Sequence, residues 1–311
     1  MAAAGVNIPT NRRGTKARPS RRARAHSLTP YLFVAPAVLV LGVVFAYAVV
    51  RLLEQSISSP GLMGETEYGL QNFSAVLSDP LFHSAVLNNL RLFLAVPVLT
   101  VIAVLLAALL FERVRGWRFY SSVIFVPYVL AVTVVGIIFS YILQRHGLLN
   151  QVLSSLHLSS LTRDWLGDSG LAIWSIWAVV VWQQLGFGVV LFLARLSSID
   201  VTLYEAATLD RAGWWQIFRH ITVPHLAPVI EFFVTISLIN MLSWIFNYVY
   251  VMTGGGPVRS TYVLELLIYQ TAFRDGLPNL AAALSVVVLA FAVVLLSVQS
   301  VLRHRIERME G

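Results

Sequence analysis

The chain has 311 residues, of which 58% are apolar and only 12% charged, and its mean hydropathy is +0.76; a soluble chain is nearer half apolar and about a quarter charged. With no cysteine, a disulfide framework and thiolate chemistry are excluded. The net charge of +7 comes from basic residues gathered in the N-terminal tail and in short segments between apolar runs, which points to anionic lipid headgroups and away from nucleic acid.

Six runs reach the roughly 20 apolar residues that a helix needs to cross a bilayer. In chain order they cover Tyr31 to Leu53, Asn88 to Phe111, Phe119 to Leu143, Leu171 to Ala194, Leu226 to Met252 and Leu277 to Leu302. The first follows basic residues such as Arg21 and Arg22 but is too long for a signal peptide, so an uncleaved anchor is expected. The fold class expected is all-α, a polytopic membrane protein with six transmembrane helices forming one domain over 31–302. Residues 1–30, basic and without an acid, read as a disordered tail, and 303–311 as a short C-terminal tail.

Basic residues counted by segment give the orientation. The N-terminal tail, 112–118, 195–225 and the C-terminal tail hold 16 of the 22 lysines and arginines, which predicts that both termini are cytoplasmic. The opposite segments, 54–87, 144–170 and 253–276, are longer and include Trp165 and a Gly254, Gly255, Gly256, Pro257 turn.

The middles of the six spans contain no Asp, Glu, Lys, Arg or His; Glu231 comes nearest. Ion-coupled transport and proton relays place such groups at membrane depth, so a driving force from outside this chain is expected. None of the seven histidines has metal-ligand spacing, His220 and His225 being five apart across a proline. There is no G-x-x-x-x-G-K-[ST] loop for ATP. No catalytic residue, metal site or cofactor of the chain's own is expected.

Between spans four and five lies Leu203 to Pro228, a segment of mixed charge. Thr202 and Glu205 have capping-box spacing, predicting a helix start there. Trp214, Phe218 and Ile221 share one helical face, and Pro224 and Pro228 are expected to end the pattern before span five. The segment reads as two short helices with an apolar face that wants a partner.

Glu205, Ala206, Ala207, Asp210, Ala212, Gly213, Ile221 and Pro224 resemble the EAA loop, here 200–225, of binding-protein-dependent ABC importer permeases. Two positions depart from the family pattern. Arg211 stands where the family usually has Gly, with Gly213 close by to supply the freedom of the turn, and Val223 stands for the usual Leu. The stretches YLFVAPAVLVL at Tyr31, YGLQNFSAVLSDPLF at Tyr68, FVPYVL at Phe125, WLGDSGLA at Trp165 and VYVMTGGGP at Val249 are similar, in order, to the oligosaccharide-type, maltose-permease-like subunit; Ile199 and Asp200 stand where the family often has Ile-Pro.

The resemblance implies a multi-pass subunit of the bacterial cytoplasmic membrane. Its partners would be a second homologous permease, two ATPase subunits that bind ATP and magnesium, and an extracytoplasmic substrate-binding protein or lipoprotein. It also implies a sugar as substrate and an ATPase-coupling set of Glu205, Ala206, Ala207, Asp210, Arg211, Gly213, Trp214 and Phe218. A substrate pathway would draw on spans four and five, where Trp182, Gln183, Gln184 and Phe187 face the problem with Asn240, Ser243, Trp244 and Asn247, the last four sharing a helical face. Polar groups of this kind also serve to join helices to one another, and both uses stay open at this point. A glycerophosphodiester or phosphorylated polyol is the competing substrate; an intramembrane enzyme or a channel is disfavoured by the lack of a catalytic pair and the presence of the coupling segment.

Overall fold

The computed structural model describes residues 29–60, 65–112 and 116–310 and falls into two units, Met1–Arg51 and Leu52–Gly311. The basic tail over 1–28 and loop residues 113–115 lie outside the described residues. The first unit holds most of α1 (Thr29–Ile57), which is apolar without a polar face and exposed from Tyr31 through Arg51. A helix of that kind is covered by lipid or by another protein.

In the second unit a two-stranded antiparallel ribbon, β1 (Ser58–Pro60) with β2 (Thr66–Tyr68), leads into α2 (Gln71–Ser78). Then follow α3 (Pro80–Phe93) and α4 (Ala95–Phe111), which run together as one apolar 32-residue helix. This span starts eight residues before the expected Asn88, because Asp79 caps it by accepting from Leu81 N–H at 2.8 Å and Pro80 takes the first turn, where its missing N–H costs nothing.

The third span is not the straight helix expected over Phe119 to Leu143. It consists of α5 (Trp117–Val129) and α6 (Val132–Ile142), bent by 98° at Leu130 and Ala131, whose ψ angles of 142° and 134° are extended. Pro127, which cannot donate to the turn before it, lies just ahead of the break. Beyond α7 (Leu148–Ser155) come α8 (Ala172–Leu196), α9 (Val201–Leu209), α10 (Trp214–Ile217), α11 (Val223–Ser243), α12 (Ile245–Met252), α13 (Leu264–Tyr269) and α14 (Pro278–Glu310). Among the described residues five helices are long and apolar enough to cross a membrane, and six if the bent pair is one span.

The main core lies where α4 and α5 pack on α8, around buried Leu99, Ala103, Ile176, Phe192 and Phe233. Two glycines set these distances. A Cβ on Gly186 would sit 2.4 Å from the Ile124 carbonyl oxygen of α5, and one on Gly188 would meet Ala103 and Phe233 at 2.8 Å. Without a hydrophobic drive between helices in lipid, such close approach supplies the packing. A smaller cluster, with Phe82, Ala85, Leu264, Leu267 and Ala283, joins α3 to α13 and α14. Two asparagines of α3 clamp the same junction. Asn88 Nδ2 donates to the carbonyls of Ser260 and Tyr262 at 2.8 and 2.9 Å, and Asn89 Oδ1 accepts from Leu264 N–H at 2.9 Å. Asn89 Nδ2 also lies 3.4 Å from both carboxyl oxygens of Glu265, whose pKa burial pushes up to about 7.

Candidate coupling segment and translocation pathway

The candidate coupling segment begins two residues earlier than the capping-box spacing suggests. Helix α9 starts at Val201 because Asp200, not Thr202, is its cap, accepting from Thr202 N–H at 3.0 Å; that bond, together with the Thr202 side chain, holds the Asp200 carboxyl below its usual range. Glu205 is therefore not used as a capping partner. It stands exposed in the second turn beside exposed Ala206 and half-buried Ala207.

The helix closes on a left-handed residue. Arg211 has φ +58°, its N–H donates to the Thr208 carbonyl, and Ala212 N–H reaches back to Ala207 at 3.0 Å. This is the Schellman pattern, in which Gly is the usual left-handed residue because it has no Cβ to clash. The turn is thus made by Arg211 itself. Gly213, expected to provide the freedom, is extended at φ −71° and begins α10, where its N–H donates to Gln216 Oε1 at 2.8 Å. Asp210 is the exposed C-cap.

Pro224 and Pro228 do not end the helix, contrary to expectation. From Trp214 to Ser243 the chain is one 30-residue helix, with a π turn over Phe218–Thr222 and Pro224 in the first turn of α11. The wider turn lets Val223 N–H donate to the Phe218 carbonyl just where proline removes the next donor. Trp214 and Trp215 are 41% and 60% exposed and stack on Phe218, with ring centroids 5.1 and 5.3 Å away. Phe218 itself is buried in the chain's own core, and Tyr204 of α9 packs on Phe111 at 5.4 Å. The exposed part of the segment is therefore Glu205, Ala206, Asp210, Arg211 and the tryptophans, and Phe218 is its root.

The pathway candidates gather around breaks in spans. Span five is interrupted at Trp244, between α11 and α12, and Asn240, Ser243, Trp244 and Asn247 flank that interruption; Trp244 and Ser243 are exposed and the two asparagines half-buried. Interrupted helices mark substrate sites in several transporter folds. Phe187 stacks on Tyr128 of α5 at 5.1 Å, and Gln184 is half-buried one residue from Gln183.

Gln183 is placed differently from the rest. It is 2% exposed, its Nε2 donates to the Leu130 carbonyl at 2.8 Å, and its Oε1 accepts from the Tyr248 hydroxyl at 2.7 Å. One side chain of span four thus satisfies the carbonyl freed at the break of span three and ties it to α12, the part of span five beyond its interruption. Tyr248, 1% exposed, is a member of this network that sequence reading missed. The residue next to Asn247 in an aromatic run carries no mark of its own, and the partner carbonyl belongs to a leucine.

About six candidate spans among the described residues, one of them interrupted beside polar side chains, with an exposed helical segment between two of them, are the pattern of a transport subunit. A sequence profile for "Binding-protein-dependent transport system inner membrane component" matches residues 81–308, and the chain belongs to that family. It is 36% identical over 279 residues to "Probable ABC transporter permease protein YurN" of Bacillus subtilis, covering 87% of this chain and 94% of that one. It is 32% identical to "Lactose transport system permease protein LacF" of Rhizobium radiobacter (88% and 93% covered), and 31% identical to "sn-glycerol-3-phosphate transport system permease protein UgpA" of Agrobacterium fabrum (88% and 94%). The fold also matches a chain of the crystal structure of a bacterial ABC transporter involved in the import of the acidic polysaccharide alginate, with a TM-score of 0.79 at 20% identity over 92% of this chain and 98% of that one.

Proposed function

We propose that this chain forms the translocation pathway of an ABC importer for a sugar or oligosaccharide. The observation that carries the reading is the set of amides and an exposed tryptophan face at the interruption of span five, donors and acceptors of the kind that bind sugar hydroxyls. The relationship to a lactose permease subunit supports it. In this reading a second, homologous permease completes the pathway, and an extracytoplasmic binding protein delivers the sugar. Two separate ATPase subunits, which hold ATP and magnesium, receive Glu205, Ala206, Ala207 and Trp214 in a cleft, while the buried Phe218 anchors the segment to the bundle. Both termini are cytoplasmic, as the 16 of 22 basic residues on that side suggest; an impermeant thiol reagent should label a cysteine at Ser159 but not one at Ser20 in intact cells, and the reverse pattern would invert the topology.

Glu205→Gln in the reconstituted complex tests the coupling role. The cap of α9 is Asp200, so the helix should form normally, while loss of one charge-assisted contact of about 1.5 to 3 kcal/mol should lower sugar-stimulated ATP hydrolysis and uptake together. Unchanged rates of both would remove the force-bearing role from that side chain. Asn247→Ala and Trp244→Ala should weaken uptake or change which sugar stimulates hydrolysis, with assembly intact; wild-type uptake and selectivity in both would assign the cluster to helix packing.

A second reading, a phosphorylated polyol as substrate, is favoured by one cavity. On the side away from the coupling segment, Arg91 and Arg259 line a space of about 480 Å³ with Ser84, Ser169 and Ser260. The similarity to a glycerol-3-phosphate permease accords with it. Loss of sn-glycerol 3-phosphate uptake in Arg259→Gln, with neutral sugars never stimulating ATP hydrolysis, would select this reading over the first.

A further inference from the structure

A cleft on the outer half of span four has the dimensions and polarity of half a lipid. It lies between α6, α7 and α8, has a volume of about 510 Å³, and is walled by Phe139, Leu149, Trp165, Trp174, Ala178 and Trp182. Ser175 contributes the one polar side chain of the lining that is not an indole, and its hydroxyl is already committed to the Trp165 carbonyl at 2.8 Å. Trp174 and Trp182 are each 42% exposed, unusual for indoles that line a cavity. From Leu171 to Trp182 the cleft follows eleven residues of α8, about 16 Å at 1.5 Å per residue, close to half of a hydrocarbon core about 30 Å thick. Its length therefore matches the reach of a single acyl chain within one leaflet. A sugar is a poor occupant, since beyond the indole N–H groups of Trp174 and Trp182 the side chains of the wall offer its several hydroxyls no uncommitted partner.

What crowns the cleft is of the opposite character. Directly beyond Leu143, Leu149 and Trp165, a polar basin of about 840 Å³ is lined by Arg145, His146, Arg163 and Asp164. Buried Asn150, in the lining of the basin, ties the basin to the cleft through Trp165. Its Nδ2 donates to the carbonyls of Arg145 and Arg163 at 2.9 and 2.7 Å, and its Oδ1 accepts from the Trp165 indole N–H at 2.9 Å. One asparagine thus fixes the backbones of both arginines and the tryptophan at the top of the cleft. Asp164, the lone acid of the basin lining, has an oxygen engaged by Gly167 N–H at 3.0 Å. The rim has a net positive charge and stands at the end of α8 away from the coupling segment, where span three emerges.

We infer that this cleft and its rim form a binding site for one anionic glycerophospholipid of the leaflet away from the coupling segment, with an acyl chain against Trp174 and Trp182 and the phosphate between Arg145 and Arg163. Charge complementarity selects the lipid class, because a zwitterionic headgroup offsets its own phosphate and gains less from two guanidinium groups. The cleft shares one residue, Trp182, with the span-four pathway candidates; the rim arginines, which select the lipid, belong neither to those candidates nor to the ATPase-coupling set.

The test uses the assembled transporter in nanodiscs containing equal phosphatidylglycerol and phosphatidylcholine, extracted into mild detergent and examined by native mass spectrometry for retained lipid. The wild-type complex should keep phosphatidylglycerol in preference to phosphatidylcholine. At about fivefold per arginine near an anionic surface, Arg145→Gln with Arg163→Gln should cut that preference roughly 10- to 30-fold while sugar-stimulated ATPase activity shows the complex intact. Ala178→Trp, which fills the cleft from an exposed position, should abolish retention of both lipids. Brominated phosphatidylglycerol should quench tryptophan fluorescence in the wild type and less in Trp174→Phe with Trp182→Phe. Equal retention of the two lipids by the wild type, unchanged preference in the double glutamine variant, or disulfide trapping of a cysteine at Ala178 to the second permease would each overturn the site, the last by showing that protein fills it.

Discussion

Replacing Gln183 with leucine separates structure from selectivity at the junction of three spans. Leucine keeps the volume of the site but leaves two groups without partners, the Leu130 carbonyl at the break and the buried Tyr248 hydroxyl, now held at 2.8 and 2.7 Å. A buried polar group left unpaired costs about 1 to 3 kcal/mol, and side-chain hydrogen bonds between membrane helices average about 0.6 and reach about 1.7 kcal/mol, so Gln183→Leu should destabilise by roughly 2 to 4 kcal/mol. Tyr248→Phe strands only the Gln183 Oε1 and should cost about 1 kcal/mol. The double variant should cost less than the sum by about 1 kcal/mol, because phenylalanine has no hydroxyl for leucine to strand. Denaturant titration of the purified complex in mixed micelles, followed by near-ultraviolet circular dichroism, measures all three. Surviving complexes should keep the wild-type ranking of sugars that stimulate ATP hydrolysis. If Gln183→Leu instead left stability within about 0.5 kcal/mol of wild type and changed that ranking, the side chain would belong to the substrate and the bridging argument would fail.

Arg211→Gly should stabilise the coupling segment by about 1 kcal/mol, since a left-handed φ of +58° costs a residue with a Cβ about 1 to 2 kcal/mol; transport should be retained, and a severe loss would mean that Arg211 contacts the ATPase. Gly186→Ala should prevent assembly, because its Cβ would sit 2.4 Å from the Ile124 carbonyl oxygen and backbone cannot yield as a side chain can; wild-type yield of complex by size-exclusion chromatography would refute that close approach. Burial pushes the Glu265 carboxyl up to about 7, above the 4.5 of an unperturbed glutamate. Its contribution to stability is present below pH 4.5 and lost as pH rises through 7, a range worth about 3 kcal/mol. Glu265→Gln should flatten that dependence and be the more stable protein at pH 8; identical pH profiles by denaturant titration would show that the carboxyl is not desolvated.

The number of spans and their chain order are legible in hydropathy, because a long apolar run has no other stable place. The interruptions are not. Leu130 and Ala131 are as apolar as their neighbours, and the group that makes their break tolerable is Gln183, fifty-three residues away in sequence. The cap of α9 was misread by two residues because Asp200 and Thr202 are both good caps and only the geometry chooses between them. Pro224 and Pro228 were read as terminators, whereas proline in or near a first turn, relieved here by a π turn, continues a helix. Asp79 followed by Pro80 is a start signal that polar Asn88 and Asn89 obscured. Of the candidate site, the coupling segment was legible because turn and helix chemistry lie within twenty-five residues. The pathway residues were legible only as a helical face, since what distinguishes Gln183 from Gln184 is which neighbour each one meets.

If the segment couples as proposed, the continuity of Trp214 through Ser243 makes this stretch a lever arm. Thirty helical residues, continuous through the π turn and two prolines, extend about 45 Å at 1.5 Å per residue, with exposed tryptophans at one end and the interruption at Trp244 at the other. Tilting such an arm by 5° about its foot carries the far end sideways by about 4 Å, enough to exchange one hydrogen-bonding partner for another at Asn240 or Asn247. The interruption then lets α12 stay with α6 while the arm moves beneath it. A shift too small to disturb the packing around Phe218 is thereby enlarged at the one place in span five where amide groups stand ready to hold or release a ligand.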